Sequence, residues 1–302
     1  MEKYLELLLR LKVVVAAEQY DSIDNIFYNI GYITFIFLGH GVTYIKSYLY
    51  KDYLSPKRYN KILLPPLERF ISLALEAGWK IEDIVKIGYP KWDNYVIHKN
   101  LKVPIERSKE EEKSIFLMFT WRKIKKGKNV SELYFNNINN ILNNKIINEQ
   151  LQKNNIKLFF CFHHALREKK KFNITNNIRI ISQNKISVLL KNCSLIITDF
   201  SSILFDAIVQ KKPLILYIPD GLDPNLCNIY VTQYSETITK LKNGLINIIE
   251  IFLYLEDVIN KIIYYIENNF VLEEEKVKQY KEFRLKAKGN TRKFIKYIKM
   301  LH

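Results

Sequence analysis

Apolar residues in this chain fall into short β-branched runs separated by stretches with helical spacing. Residues 12–17 (KVVVAA), 33–39 (ITFIFLG), 61–66 (KILLPP) and 83–88 (DIVKIG) each read as a buried strand closed by polar or turn residues. Between the third and fourth lies ERFISLALEAG, residues 68–78, a helix preceded by Pro65 and Pro66 and placed to end at Gly78. The pattern breaks at residues 97–113, a polar stretch with a proline that reads as a linker. A second strand series follows at 114–121, 156–162, 178–182, 194–200 and 213–219, with a long helical stretch at 132–154. From about residue 235 to the end the chain reads as helix. The division expected is residues 1–105, residues 106–285 and a basic terminal helix at 286–302.

Strands that alternate with helices predict parallel α/β sheets, and such sheets bind ligands outside the carboxyl ends of their strands. The residues just after each run therefore carry the chemistry. They are His40-Gly41 with Lys46 beyond; Gly88-Tyr89-Pro90 with Asp93; Thr120-Trp121-Arg122; His163 and His164; Thr198, Asp199, Ser201 and Ser202; and Pro219-Asp220. No GxGxxG and no phosphate-binding P-loop occurs, which argues against a dinucleotide oxidoreductase or a nucleoside triphosphatase.

Ser201 or Ser202 suits the N-cap of the helix ILFDAIVQ. A helix start with two hydroxyls beside it also makes an anion site for phosphate or diphosphate. Asp199 either orients that loop or binds a ligand hydroxyl. Asp206, four residues past Ser202, either holds a supporting hydrogen bond or is solvated. His40 follows a buried strand and suits proton abstraction near neutral pH. His163 and His164 are adjacent, so only one of them points into a site. Arg122 suits bidentate phosphate contact. No pattern of metal ligands is present in the sequence.

Composition narrows the partners. Lys plus Arg number 47 and Asp plus Glu 31, so the formal charge is 47 − 31 = +16, which favours anionic partners. Nucleic acid is disfavoured because no DNA- or RNA-binding motif appears. Three cysteines without a CxxC pair, and an N-terminus lacking the layout of a signal peptide, suit a reducing cytoplasm. The most apolar C-terminal stretch is interrupted by Glu250, Glu256 and Asp257, which argues against a membrane span.

With these residues in order, the chain resembles the CDP-glycerol glycerophosphotransferases, the teichoic acid primases and polymerases of bacterial envelopes. The resemblance rests on HGVTYIK (40–46), IGYPKWD (87–93), FTWR (119–122), FHH (162–164), ITDFSSILFD (197–206), KKPLILYIPD (211–220) and KGNTRKFIKYI (288–298), and runs from about residue 33 to the end. It implies a GT-B architecture, two Rossmann-like domains facing across a cleft. Only 39 residues precede the His-Gly pair, so the first domain is expected to be trimmed, or the start to lie inside a longer product. The implied reaction moves a polyol phosphate from a CDP-activated donor to a hydroxyl of a lipid-linked or polysaccharide acceptor, without a redox cofactor.

Carried over by position, His40 of the His-Gly motif is the base. His163, with His164 as the alternative, contacts the donor diphosphate. Gly41, Lys46, Arg122, Thr198, Asp199, Ser201, Ser202 and Asp206 serve substrate binding. A lipid-linked acceptor implies work at the inner face of the cell membrane, with basic surface toward anionic lipid. The tail 284–302 is either such a basic amphipathic helix or packs a Phe294, Ile295 and Ile298 face on the protein. Two rivals remain: a sugar-nucleotide glycosyltransferase of the same architecture, serving capsule or lipopolysaccharide, and a non-catalytic relative.

Overall fold

The computed structural model describes residues 11–16, 33–38, 59–96, 113–120, 130–162, 174–199, 201–219, 249–285 and 288–301. The chain divides into two compact units, one of Met1–Lys99 with Arg284–His302 and one of Asn100–Phe283.

In the first unit, Val13–Ala16 (β1), Thr34–Phe37 (β2), Lys61–Leu64 (β3) and Ile84–Lys86 (β4) lie parallel and adjacent in chain order. The central strands β2 and β3 are buried beyond their first residues, as strands covered on both faces are, whereas the edge strands β1 and β4 leave Val15 and Lys86 exposed. Helix Glu68–Glu76 (α1) connects β3 to β4 and ends as expected: Gly78 takes φ +95°, the left-handed conformation that costs an L side chain most. A short helix, Asp93–Val96 (α2), follows the Gly-Tyr-Pro turn.

The second unit contains Ser114–Met118 (β5), helices Val130–Leu142 (α3) and Lys145–Lys153 (α4), Lys157–Cys161 (β6), Ile178–Ile181 (β7), helix Ile186–Asn192 (α5), Leu195–Thr198 (β8), helix Ile203–Gln210 (α6), Leu214–Tyr217 (β9), Glu250–Phe252 (β10) and helices Leu255–Glu267 (α7) and Glu274–Leu285 (α8). Its six strands are all parallel in the order β10-β9-β8-β5-β6-β7. The chain moves outward through β5, β6 and β7, returns to lay β8 on the other side of β5, and moves outward again through β9 and β10. That is the order of a doubly wound Rossmann sheet. One core joins β5, β6, β8 and β9 to α3, α4 and α7 through Ile138, Ile141, Leu151, Ile259 and Ile262.

β10 is a correction. Residues 250–252 lie in the stretch expected to be helical but pair in parallel with β9. The run from 244 to 255 is almost uniformly apolar, so its periodicity does not separate strand from helix. Glu250 begins the strand in an ionic cluster: its carboxylate takes Lys261 at 2.9 Å and Lys276 at 2.5 Å, and Lys276 is itself buried. Burial pushes the Glu250 carboxyl up, but the hydrogen bonds and charges of Lys276 and Lys261 outweigh it and hold it below its ordinary value. Tyr265 and Tyr280 stand beside this cluster, and burial raises both phenols, followed by Glu250 for Tyr265 and by Tyr265 and then Glu250 for Tyr280.

The terminal helix, Asn290–Met300 (α9), belongs to the first unit. Phe294 is buried with Ile36, Leu63 and Val85, and Tyr297, Ile298 and Leu301 pack on the same cluster. Ile295, expected on this face, instead points outward at 49% exposure. A step of 100° per residue sets it about 110° from the centre of the stripe that Phe294, Tyr297, Ile298 and Leu301 bury.

Candidate functional site

The strand order of the second unit reverses between β5 and β8, and the crevice at such a switch point is where open α/β sheets bind ligands. The sequence brings two motifs to this point: Phe119-Thr120 leaves β5, and Thr198-Asp199 leaves β8. Met118 and Thr198 stand side by side in the register. The Thr198 hydroxyl donates to the Met118 carbonyl at 2.7 Å. One residue further, the Thr120 N–H donates to Asp199 Oδ1 at 2.8 Å. At the other end of the same strand pair, the Ser114 N–H donates to the Ser194 hydroxyl and the Ser194 N–H to the Ser114 carbonyl. The pair is therefore tied at both ends.

Thr198 and Asp199 are both completely buried. In this structure they face β5 rather than solvent. Asp206 is also buried, at 2% exposure, which removes the solvated alternative. It lies on α6, a helix whose residues 203–209 are all buried.

Ser201 is buried and Ser202 half-buried at the start of α6. Ser202 occupies the N-cap position, but its φ of −63° and ψ of −13° are helical rather than extended, and its side chain caps no N–H. The capping expectation fails for this geometric reason: an N-cap hydroxyl reaches back to the first turn from an extended backbone. Instead, the N–H groups of Leu204 and Phe205 close tight turns on the carbonyls of Ser201 and Ser202. The Ser202 hydroxyl is thus left for something other than its own helix.

The neighbouring strand ends are fixed too. The ring of Phe119 meets Tyr217, at the end of β9, edge-on at 6.0 Å. After β6, the Phe162 carbonyl accepts from Gln183 Nε2, and Phe162 packs against Phe160 and Phe135. Cys161 ends β6, but burial pushes its thiol up to about 11, so it is no nucleophile near neutral pH. Burial raises Cys193 to about 11 as well, against the opposing charge of Lys212. The Lys212 ammonium, itself lowered by burial, donates to the carbonyls of Lys191 and Cys193 at the end of α5.

His40, Gly41, Lys46, Arg122, His163 and His164 lie outside the described residues, as does the 97–112 part of the linker stretch. The structure therefore brings together Thr198, Asp199, Ser201, Ser202 and Asp206 around β8 and α6. Among the described residues no group of His, Cys, Asp or Glu is arranged to hold a metal, and no helix is long and apolar enough to cross a membrane.

One feature escaped the sequence. Asp93, the last residue of IGYPKWD, accepts the N–H groups of Asn290 at 3.0 Å and Thr291 at 2.7 Å, with one oxygen for each. These are the first amides of α9. Asn290 and Thr291 also donate to the carbonyls of Tyr89 and Pro90. Two motifs separated by some 200 residues are thus the halves of one joint. The acid in one and the Gly-Asn-Thr helix start in the other were the available signal.

Known proteins place this arrangement. The family model for CDP-Glycerol:Poly(glycerophosphate) glycerophosphotransferase matches residues 3–223. The minor teichoic acid biosynthesis protein GgaB of Bacillus subtilis (strain 168) is 27% identical over 279 residues, which is 86% of this chain. The chain spans only 28% of the length of GgaB. The solved structure of the wall teichoic acid polymerase TagF superposes with a TM-score of 0.62 at 17% identity, covering 100% of this chain and 75% of that one. A variant of TagF gives a TM-score of 0.65 at 16% identity with the same coverage. At these identities the likeness to TagF is one of fold, a GT-B-like pair of parallel-sheet units.

Proposed function

The chain belongs to the CDP-glycerol:poly(glycerophosphate) glycerophosphotransferase family, and from that premise we propose that it transfers glycerol phosphate, or a similar polyol phosphate, from a CDP-activated donor. The acceptor is a hydroxyl of a lipid-linked or polysaccharide teichoic acid precursor. In this reaction the acceptor oxygen attacks the phosphorus that carries the polyol. A new P–O bond forms, the phosphoanhydride bond breaks, CMP leaves, and the hydroxyl proton passes to a base. His40 is assigned as that base. His163 or His164 and Arg122 are assigned to the diphosphate. Such chemistry depends on positioning and charge neutralisation.

The observation that carries the reading is the family match across residues 3–223. It is supported by the hydroxyl of Ser202, uncommitted to its own helix, at the sheet's switch point. The amides of Ser202 and Ile203 precede the first closed turn there and suit a phosphate oxygen.

Peripheral attachment to an anionic membrane is the second part of the proposal. α9 buries its Phe294 side and turns Arg292, Lys296 and Lys299 to the opposite, exposed side, with Ile295 and Met300 flanking them. Basic residues between two apolar ones suit an anionic lipid surface.

The test is incubation of purified protein with CDP-glycerol, CDP-ribitol and UDP-sugars, with and without a lipid-linked acceptor, while nucleotide release and donor binding are followed. Acceptor-dependent CMP release from a CDP-polyol is expected. Release from UDP-sugars alone, or binding of none of these donors, overturns the reading.

A further inference from the structure

We propose that Asp199 is a positioning residue, acting through the Thr120 N–H to set the course of the chain as it leaves β5 at the switch point. The ligand it serves is the CDP-activated donor, so the kinetic half of the claim rests on the function proposed above.

Asp199 has no exposed surface, and its Oδ1 lies 2.8 Å from the Thr120 nitrogen. The bond crosses from the strand on one side of the topological reversal to the strand on the other. Thr198, the preceding residue, makes the same crossing in the opposite sense, with its hydroxyl donating to the Met118 carbonyl. Two consecutive side chains, the last of β8 and the one after it, thus bracket the end of β5, one supplying a donor and one accepting it. Beyond Thr120 the sequence continues Trp121-Arg122, the pair expected to bring positive charge to the donor.

The charge logic points the same way. A carboxylate facing a bound diphosphate would repel it, and a buried carboxylate without hydrogen-bond donors is costly. Aimed at a main-chain N–H, the same carboxylate is stabilised and turned away from the anion. The function assigned to residue 199 is therefore that of an acceptor oxygen at Oδ1 for the Thr120 N–H. An asparagine supplies that oxygen; alanine does not.

The experiment compares Asp199→Asn and Asp199→Ala in the full chain. Two readouts are taken: hydrogen exchange of the peptide containing Thr120, and KM with kcat for CMP release from CDP-glycerol. Asp199→Ala is expected to speed exchange at Thr120 and raise KM, each about tenfold or more, since a hydrogen bond to a charged acceptor is lost. Asp199→Asn is expected to stay within about threefold of wild type on both readouts, because the acceptor oxygen remains. The claim is overturned if the asparagine variant keeps Thr120 protected yet loses donor affinity, which would make the charge itself the donor-binding element. It is equally overturned if the folded alanine variant leaves Thr120 protected. If alanine prevents folding, the asparagine variant decides by the same criteria. Should the wild type release CMP from no CDP-activated donor, the proposed transfer fails, and the exchange comparison still decides whether Asp199 positions Thr120.

Discussion

Replacing Asp93 by Ala should release the terminal helix from the first unit. The carboxylate is 5% exposed and gives one oxygen to each of the first two amides of α9, at 3.0 and 2.7 Å. Its removal takes the carboxylate acceptor from the Asn290 N–H, on a residue only 1% exposed. A lost N-cap costs about 0.5–2 kcal/mol, and a hydrogen bond to a charged group about 1.5–3 kcal/mol. Both figures describe the same carboxylate and overlap, so the expected cost is about 2–3 kcal/mol. At 1.4 kcal/mol per factor of ten, amides of α9 that exchange through release of the helix should do so about 30 to 150 times faster. The assay is hydrogen exchange on peptides spanning 290–300, with peptides of the second unit as internal reference. Asp93→Asn should fall between the two, because it keeps one acceptor and turns its NH2 toward the other amide. The reasoning is refuted if Asp93→Ala leaves α9 exchange within about twofold of wild type, since helix-cap losses of the expected size cannot hide there.

Three further outcomes are expected. His40→Ala should lower CMP release by about 10²- to 10⁴-fold while calorimetric donor binding stays near wild type, as removal of a general base requires; unchanged turnover removes His40 from that role. Glu250→Gln should destabilise the second unit by about 1–3 kcal/mol in urea titration, because buried Lys276 loses the counter-charge of a half-buried carboxylate. The folded-state value of Glu250 is lowered, so its stabilisation is complete above the unfolded carboxylate range and is lost as pH falls below about 4.5 through the folded value. Tyr265 and Tyr280 are raised, so their contribution is complete below about pH 10 and is lost as pH rises beyond it. Unfolding midpoints followed from pH 3 to 11 check both signs, and a Glu250→Gln variant with the wild-type acid limb would contradict the first. Finally, Arg292→Glu, Lys296→Glu and Lys299→Glu together should weaken binding to phosphatidylserine vesicles by about 100-fold at low salt, near 1 kcal/mol per residue; equal binding to neutral phosphatidylcholine vesicles by wild type would refute the electrostatic account.

The strands were legible where burial on both faces made them short apolar runs, as with Thr34–Phe37, Leu195–Thr198 and Leu214–Tyr217. β10 was not, because its apolar run continues into α7 and one period shades into the other. The order of the six strands was also hidden. Apolar periodicity records that a strand is buried, not which neighbour it chooses, so the switch point between β5 and β8 emerges only from tertiary pairing. Within the site, Thr198, Asp199, Ser201 and Ser202 were found by their place after a strand, but their tasks were not. Whether a side chain faces a ligand or the next strand depends on partners about 80 residues away, as Met118 and Thr120 are from Thr198 and Asp199.

The acidic motif residues share one solution to one problem. A chain of charge +16 that takes an anionic ligand, as proposed above, gains from cations near that ligand and loses from carboxylates there. Asp199 directly follows β8, and Asp93 opens α2 beyond the turn that leaves β4. In both cases the carboxylate is buried and directed to main-chain N–H groups distant in sequence, 197 residues away for Asp93 and 79 for Asp199. Each then acts as an anchor whose negative charge is held by amide dipoles; Asp206 is buried as well. Hydroxyls take the more open place: Ser202 is half-buried and does not cap its own helix. In this chain the buried acids Asp93 and Asp199 are therefore first to be read as braces between segments, and the half-buried Ser202 at the start of α6 as the candidate for ligand contact.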